Sequence, residues 1–471
     1  MQETLTQIPA SQVALVIALV LVLLQEAVNG FHDTANAIAA AVYSNSIEAR
    51  WAVLMAASLN FLGVMSSGCA VAFAMVYLLP VEMVAGIGTT SEIAFLLALV
   101  VSAVLWNTTT WYLGIPNSTT HTYVGAILGV TAAHAFVHGQ SISAHMHWHE
   151  GEKVVAALVI SPIIGFVMAS LVYRGLRRFV KDEQLFEPSE AGRPPKTPIR
   201  ALMIAGAAGI SFLHGTNDGQ KSIGFMFLVL VGLAPMLFGL DQKAGPEAFA
   251  AIKHSTHELE SIAADLAEEP AFAAPAKEMA VKARGASEIL SRYKTISEIP
   301  QTDETEMRRD LLYLQRDVSR LLKAGEGAGV LTSAQSATLG DARTNINGLL
   351  ENVPWWLMAL SATFLGLGTA VGYKRIVVTL GEKMSSVKMN AAHGTATQLT
   401  AIACIALADT SAVPVSTTHV VTSGVAGSMR ASGAGLQFST IRGIVITWFT
   451  TLPGCFALSF AFSIMLHAAM T

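Results

Sequence analysis

Long apolar runs separated by short polar breaks set the pattern of this chain. The runs cover about 11–43, 51–79, 93–113, 116–137 and 153–173, then about 200–240, 354–372, 390–411, 413–429 and 441–469. A straight helix crosses a bilayer with about 20 apolar residues. Only a segment that satisfies its own backbone can do so, so these runs predict helices. Several exceed that length, which predicts tilted, broken or re-entrant pieces and leaves the number of crossings open. One stretch is different material. Residues 241–352 are rich in Lys, Arg, Asp and Glu, with apolar side chains at helical spacing: Ile289, Leu290, Tyr293, then Leu311, Leu314, Val318, Leu321. This predicts a helical extra-membrane insertion of two to four helices, punctuated by Pro270, Pro275, Pro300 and the Gly-rich 325–329.

Two polar words recur inside the apolar sequence. Pro116-Asn117-Ser118-Thr119-Thr120-His121 is nearly repeated as Pro414-Val415-Ser416-Thr417-Thr418-His419. Ser and Thr are strong N-cap residues and Pro suits a first turn, so each word predicts a helix that begins there. A helix start carries a partial positive charge of roughly half a unit and is a ready anion site. Two opposed starts suit a compact, doubly charged oxyanion, with hydroxyl donors from Ser118, Thr119, Thr120, Ser416, Thr417 and Thr418. The bland alternative is a Ser/Thr cluster that only caps and packs buried helices. Recurrence argues against it, since repeated halves with binding at broken helices are a transporter pattern.

A second pair of words precedes the first. Gly30-Phe31-His32-Asp33-Thr34-Ala35-Asn36-Ala37 shares the frame Gly-x-(His/Asn)-Asp with Gly215-Thr216-Asn217-Asp218-Gly219-Gln220-Lys221-Ser222. A carboxylate within an apolar span is costly, and functional by default. For Asp218 the alternative is an internal pair with Lys221, three residues on; Asp33 has no nearby base. The order octet, Ser-Thr-Thr-His, basic loop, octet, Ser-Thr-Thr-His marks an internal duplication. With an odd number of crossings per half, the halves are inverted and the half-helices enter from opposite faces.

Composition fits this picture. Of 471 residues, 52% are hydrophobic and 13% charged, which excludes an ordinary soluble protein. The net charge of −4 is uninformative here, and no basic tract points to nucleic acid. Arg174, Arg177, Arg178, Lys181, Arg193, Lys196 and Arg200 make loop 174–200 cytoplasmic by the positive-inside rule, as do Lys374, Arg375, Lys383 and Lys388 for theirs. Residues 80–92 hold Glu82 and Glu92 and no base, and belong outside. Five crossings before residue 174 place the N-terminus outside, and a single crossing over 200–240 sends the insertion outside too. No basic start precedes the first apolar run, so residues 13–28 read as part of a retained span rather than a signal peptide. Cys69, Cys404 and Cys455 lie singly, with no disulfide framework or metal spacing. His134, His138, His145, His147 and His149 are irregularly spaced and read as a polar surface turn rather than a metal site. Ser118 with His121, and Ser416 with His419, have hydrolase-like spacing but no orienting acid. His121 and His419 read instead as supports that hydrogen-bond the half-helices in place. The small-residue pairs Gly125/Gly129 and Ser423/Gly427 allow close helix packing.

The paired octets and paired Ser-Thr-Thr-His words resemble the inorganic phosphate transporter (PiT) family, and its bacterial low-affinity members in particular. Asn29–Ala39, His214–Gly224 and Val413–Val420 carry the likeness, which covers both halves of the chain apart from 241–352. The resemblance implies an all-α polytopic fold of two inverted repeats, whose broken or re-entrant helices meet at the membrane midplane. It implies phosphate sites at Ser118, Thr119, Thr120, Ser416, Thr417 and Thr418. Coupling residues are then Asp33, Asp218, His32, Asn217 and Asn36, with His121, His419, Gly30 and Gly215 in support. His32 stands where the family usually has Asn, Lys221 departs from its later Asn, and Asn60 replaces a Glu of animal members. These departures argue against copying a sodium site onto this chain.

The expected organisation is a first transmembrane repeat over 1–173, a basic loop over 174–199, the start of the second repeat over 200–240, the insertion over 241–352 and the rest of the second repeat over 353–471. The expected activity is symport of phosphate with protons through a multi-pass protein of the bacterial plasma membrane, with no catalysis and no bound cofactor. His32 beside Asp33 is the expected proton group, since an imidazole titrates near neutrality. A neutral metal–hydrogen-phosphate complex is an alternative cargo, because pairing the charges lowers desolvation cost. Sodium-coupled phosphate or sulfate transport and a passive anion channel are the competing readings. Expected partners are phosphate, the coupling cation and the lipid bilayer, with a homodimer allowed.

Overall fold

A computed structural model describes residues 10–142, 148–187, 194–268, 272–328, 331–410 and 416–471. Among the described residues, eight helices are long and apolar enough to cross a membrane. They include Ala10–Tyr43, Ala49–Ser66, Thr90–Tyr112, Thr197–Leu233, Trp355–Gly372 and Phe438–Met470. The all-helical expectation holds, and so does that of a multi-pass membrane protein. The chain divides into two compact units.

Among the described residues, the first unit is formed by Ala10–Leu15, Pro80–Glu92 and Phe227–Pro354. Four helices build its main part: Pro246–Leu266, Ala273–Arg292, Gln301–Ala328 and Ser333–Leu350. Each packs on its chain neighbour, and the first also packs on the last. The spacing read from sequence is the packing that forms, for Ile289, Leu290, Leu311, Leu314, Val318 and Leu321 are all buried. Pro275 sits in a first turn, where its missing N–H costs nothing; Pro270 lies outside the described residues.

Glu304 is buried in this unit, with its Oε1 accepting from Gln242 Nε2 at 2.9 Å. Burial pushes its carboxyl up to about 7 from the usual 4.5. Folded Glu304 therefore keeps a proton that the unfolded chain has lost, so stability falls as pH rises from about 4.5 to about 7 and levels off above. Hydrogen exchange over 301–328, after division by the base-catalysed intrinsic rate, should quicken across that window. In Glu304→Gln the quickening should be absent, and its persistence there would assign it to another group.

The second unit joins Val16–Leu79, Ile93–Met226 and Trp355–Thr471. Two helices in it are shorter and start in the interior: Thr119–Val137 and Thr417–Ser432. The first packs on Phe438–Met470, the second on Trp148–Phe179. Small residues permit this closeness. A Cβ at Gly125 or Gly129 would strike the carbonyls of Leu452 or Phe456, and one at Gly427 would strike that of Phe166. The histidine cluster departs from its reading as a surface turn. The helix continues to Val137, so His134 is a buried helical residue and His138 closes the helix end, its Nδ1 2.8 Å from the His134 carbonyl oxygen. His145 and His147 lie outside the described residues.

Candidate anion and cation site

The site is built from the two interior helix starts. Ser118 and Ser416 take nearly the same extended backbone, φ −94° with ψ 116° and 107°. Ser118 Oγ accepts the His121 N–H at 3.2 Å, and Ser416 Oγ accepts the His419 N–H at 3.1 Å. A helix leaves its first four N–H groups without intrahelical acceptors, and each serine takes one of them. Asn117 sets the approach to the first start: its Nδ2 donates to Asn107 Oδ1 at 3.0 Å, and its Oδ1 accepts from Thr451 Oγ1 at 2.6 Å. Pro414 and Val415 of the second word lie outside the described residues. The two starts meet face to face, with the His121 and His419 rings 4.2 Å apart between centroids. The sequence reading gave these side chains a hydrogen-bonding role. The structure gives the capping bonds to their backbone N–H groups and sets the rings against each other at a tilt of 38°.

Both octets lie within unbroken helices, Ala10–Tyr43 and Thr197–Leu233, and turn their acids toward the helix starts. Thr119 Oγ1 donates to Asp33 Oδ2 at 3.3 Å, and Thr417 Oγ1 donates to Asp218 Oδ2 at 2.9 Å. The second threonine of each word bonds across to the other half. Thr418 Oγ1 donates to Asp33. Asn36, three residues after Asp33, donates to Asp33 Oδ1 and to Thr418 Oγ1, both at 3.1 Å. Lys221, three residues after Asp218, donates to Asp218 and to Thr120 Oγ1, the latter at 2.6 Å. The same pattern of bonds thus occurs twice, with a neutral amide in one copy and an ammonium in the other. Asp33, Asp218 and Lys221 are each at most 2% exposed, so no solvent screens these charges.

His214 stands between the copies. Its Nε2 lies 3.3 Å from Asp218 Oδ2 and 3.7 Å from Asp33 Oδ2. Its Nδ1 lies 3.1 Å from Asn60 Oδ1. Asn60 directs its amide nitrogen at Thr369 and Thr34 hydroxyls, at 3.2 and 3.4 Å, which leaves its oxygen to accept from His214. Nδ1 is then the donor, and Nε2 faces two carboxylates. That contact is favourable when Nε2 carries a proton or shares a cation with the acids. Asp33, His214 and Asp218 each offer one ligand atom within 4.8 Å of the others, a group able to hold a metal ion.

Residues 29–459 match the model of the phosphate transporter family (PHO4). The chain belongs to this family. It is 34% identical to the low-affinity inorganic phosphate transporter PitB of Escherichia coli K12 and 33% identical to PitA of that strain, each over 94% of this chain and 95% of the relative. It is 26% identical to a probable low-affinity inorganic phosphate transporter of Bacillus subtilis, over 90% of this chain and 89% of that one. A solved structure, the sodium-dependent phosphate transporter, has the same fold at a TM-score of 0.53 and 18% identity, covering 96% of this chain and 99% of that one.

Seven of the residues singled out from sequence in this phosphate transporter converge in two hydrogen-bonded groups, Asp33 with Asn36, Thr119 and Thr418, and Asp218 with Thr417 and, through Lys221, Thr120, and His214 lies between the two. Gly30 and Gly215 sit at helix crossings, where a Cβ would strike the carbonyls of Leu365 and Asn60. His32 joins neither group. Its Nε2 lies 2.9 Å from the Asn107 carbonyl oxygen and 3.2 Å from Thr110 Oγ1, because successive helical residues point about 100° apart. Asn217, its counterpart, is fully buried, and its amide makes no hydrogen bond among the described residues. His214 and Lys221 take up the places at the acids that the sequence reading gave to His32. The signal for both was spacing: His214 precedes Asp218 by four residues and Lys221 follows it by three, so all three share one helix face.

Proposed function

We propose that the chain takes up phosphate together with protons. The observation that carries the reading is the ammonium of Lys221 on Asp218 and Thr120. It supplies one positive charge where the other copy has Asn36, so less charge is left for a metal cation to balance. Moving a dianion into such an interior is costly without compensation, and two helix starts offset only part of it. The threonine hydroxyls supply the link to protons. In the described state Thr119, Thr417 and Thr418 donate to ionisable acids. A carboxylate only accepts hydrogen bonds, whereas a protonated carboxyl can donate. Protonating Asp33 and Asp218 therefore frees the hydroxyls to bind phosphate, and phosphate in turn favours protonation, a reciprocal coupling. His214 between the acids is positioned to hold or pass such a proton.

Phosphate is favoured over sulfate by the same chemistry, because hydrogen phosphate keeps a proton that it can donate to either acid. A metal–hydrogen-phosphate cargo is a second reading, supported by the Asp33–His214–Asp218 group. The expected topology, with the half-helices entering from opposite faces and the site at the midplane, belongs to this proposal. The test is uptake of labelled phosphate into proteoliposomes without sodium. An acidic exterior should speed accumulation on the order of tenfold, with little inhibition by excess sulfate. Uptake that requires sodium and ignores the pH gradient would overturn proton coupling; sulfate competing better than unlabelled phosphate would overturn the substrate.

A further inference from the structure

Glu26 lies seven residues before Asp33 on the same helix, two turns away and on the same face. It is fully buried. Its two oxygens meet serines from different helices: Ser222 Oγ at Oε2, and Ser361 Oγ at Oε1 at 3.3 Å. Ser222 Oγ also lies 3.0 Å from the Tyr123 hydroxyl, and Ser361 Oγ lies 3.4 Å from the Gly219 carbonyl oxygen. No lysine, arginine or histidine makes an ion pair with Glu26 among the described residues. The ionisable groups facing it are Tyr123 through Ser222, and His214 and Asp218 on the helix Thr197–Leu233. Lys221 precedes Ser222, but its ammonium is committed to Asp218 and Thr120. The helix Trp355–Gly372 brings no ionisable side chain.

Counting protons decides how this group is used. Four contacts link Tyr123, Ser222, Glu26, Ser361 and the Gly219 carbonyl, and the three hydroxyls supply three protons. A serine has one proton, so Ser361 cannot donate fully to both Glu26 and Gly219. If Glu26 itself carries a proton, it donates to Ser361, which donates to Gly219, and every contact is satisfied. If Glu26 is ionised, Ser361 turns toward it and gives up the Gly219 carbonyl, which keeps its helical partner, and a carboxylate is left in the interior with two hydroxyl donors and no cation, a costly state. Gly219 adjoins Asp218 and Ser222 adjoins Lys221. The charge on Glu26 is thereby coupled, through Ser222 and Ser361, to the segment that carries Asp218 and Lys221.

We propose that Glu26 is the carrier of the coupled proton in this transporter. One proton binds at the Glu26 carboxyl from the aqueous phase on one side of the membrane and is returned to the aqueous phase on the other; no other bond changes. The proposal rests on the proton-symport reading. It assigns to Glu26 the exchange of the proton with the aqueous phases, while Asp33 and Asp218, through the threonines they share with phosphate, link that proton to the cargo.

The test compares parent and Glu26→Gln in proteoliposomes by two fluxes. Accumulation of labelled phosphate driven by a pH gradient should fall at least about tenfold. Exchange of internal for external phosphate at equal pH needs no proton turnover and should persist. Glu26→Asp keeps a titratable carboxyl and should retain gradient-driven accumulation. Infrared spectra of the parent should show a protonated carboxyl band that Glu26→Gln lacks. A parent that ignores the gradient would overturn symport and this assignment together. A gradient-driven parent with an equally gradient-driven Glu26→Gln would overturn the assignment alone. Loss of exchange along with accumulation would place Glu26 in cargo binding or folding, and would also overturn it, as would a parent spectrum without the band.

Discussion

Asp218→Asn should abolish phosphate accumulation, by about a hundredfold or more, while phosphate still binds. Asn keeps the shape of the side chain and one acceptor for Thr417, which donates to Asp218 at 2.9 Å. It removes the charge that Lys221 and His214 face. His214 keeps Asp33 at 3.7 Å, but the Lys221 ammonium then has no counter-charge except the arriving anion. Hydrogen bonds to charged groups are worth about 1.5–3 kcal/mol, so phosphate should be held at least as tightly as in the parent. A cargo that replaces the missing carboxylate has no reason to leave, and the exchange of hydroxyl donors between acid and phosphate is broken. Binding of labelled phosphate to purified protein and uptake into proteoliposomes measure the two halves of the claim. A variant that accumulates phosphate at the parent rate would sink the role given to Asp218.

Lys221→Met should destabilise the protein strongly. Lys221 is 1% exposed and paired with a carboxylate of equal burial. Removing one partner of a buried ion pair costs about 3–5 kcal/mol, because the other charge is stranded, whereas replacing both partners together is often neutral. The double variant Lys221→Met with Asp218→Asn should therefore recover much of the thermal stability lost in the single one. It should not recover uptake, since the acid is still missing. Thermal melting in detergent and uptake in liposomes separate these outcomes. A Lys221→Met protein that melts like the parent would show that the pair is not closed in the working protein, and the argument from Lys221 for proton coupling would go with it.

Some of this was readable from residue order. Ser118 and Ser416 were identifiable as helix caps because Ser before an apolar helical run has few other uses, and both cap with their hydroxyls. The insertion was readable because its apolar residues recur at a period that only a helix brings to one face. His32 was misplaced for a reason of the same kind. Residues adjacent in sequence are not adjacent across a helix face, and the neighbour of Asp33 in space is three or four residues away. That position is Asn36 in the first copy and Lys221 with His214 in the second.

Order and periodicity alone thus determined that the chain is a membrane-embedded helical protein with two related halves, each holding an acid and a capped helix start. They could do so because caps, spans and periodic faces are local properties of the backbone. Which acid meets which threonine, that Thr418 reaches Asp33 and Thr120 reaches Lys221, and that Glu26 shares its serines with the segment after Asp218, were settled only by tertiary structure. Those contacts join residues about 100 to 390 positions apart. No local rule reaches across such a separation; the packing of whole helices against one another brings them within a hydrogen bond.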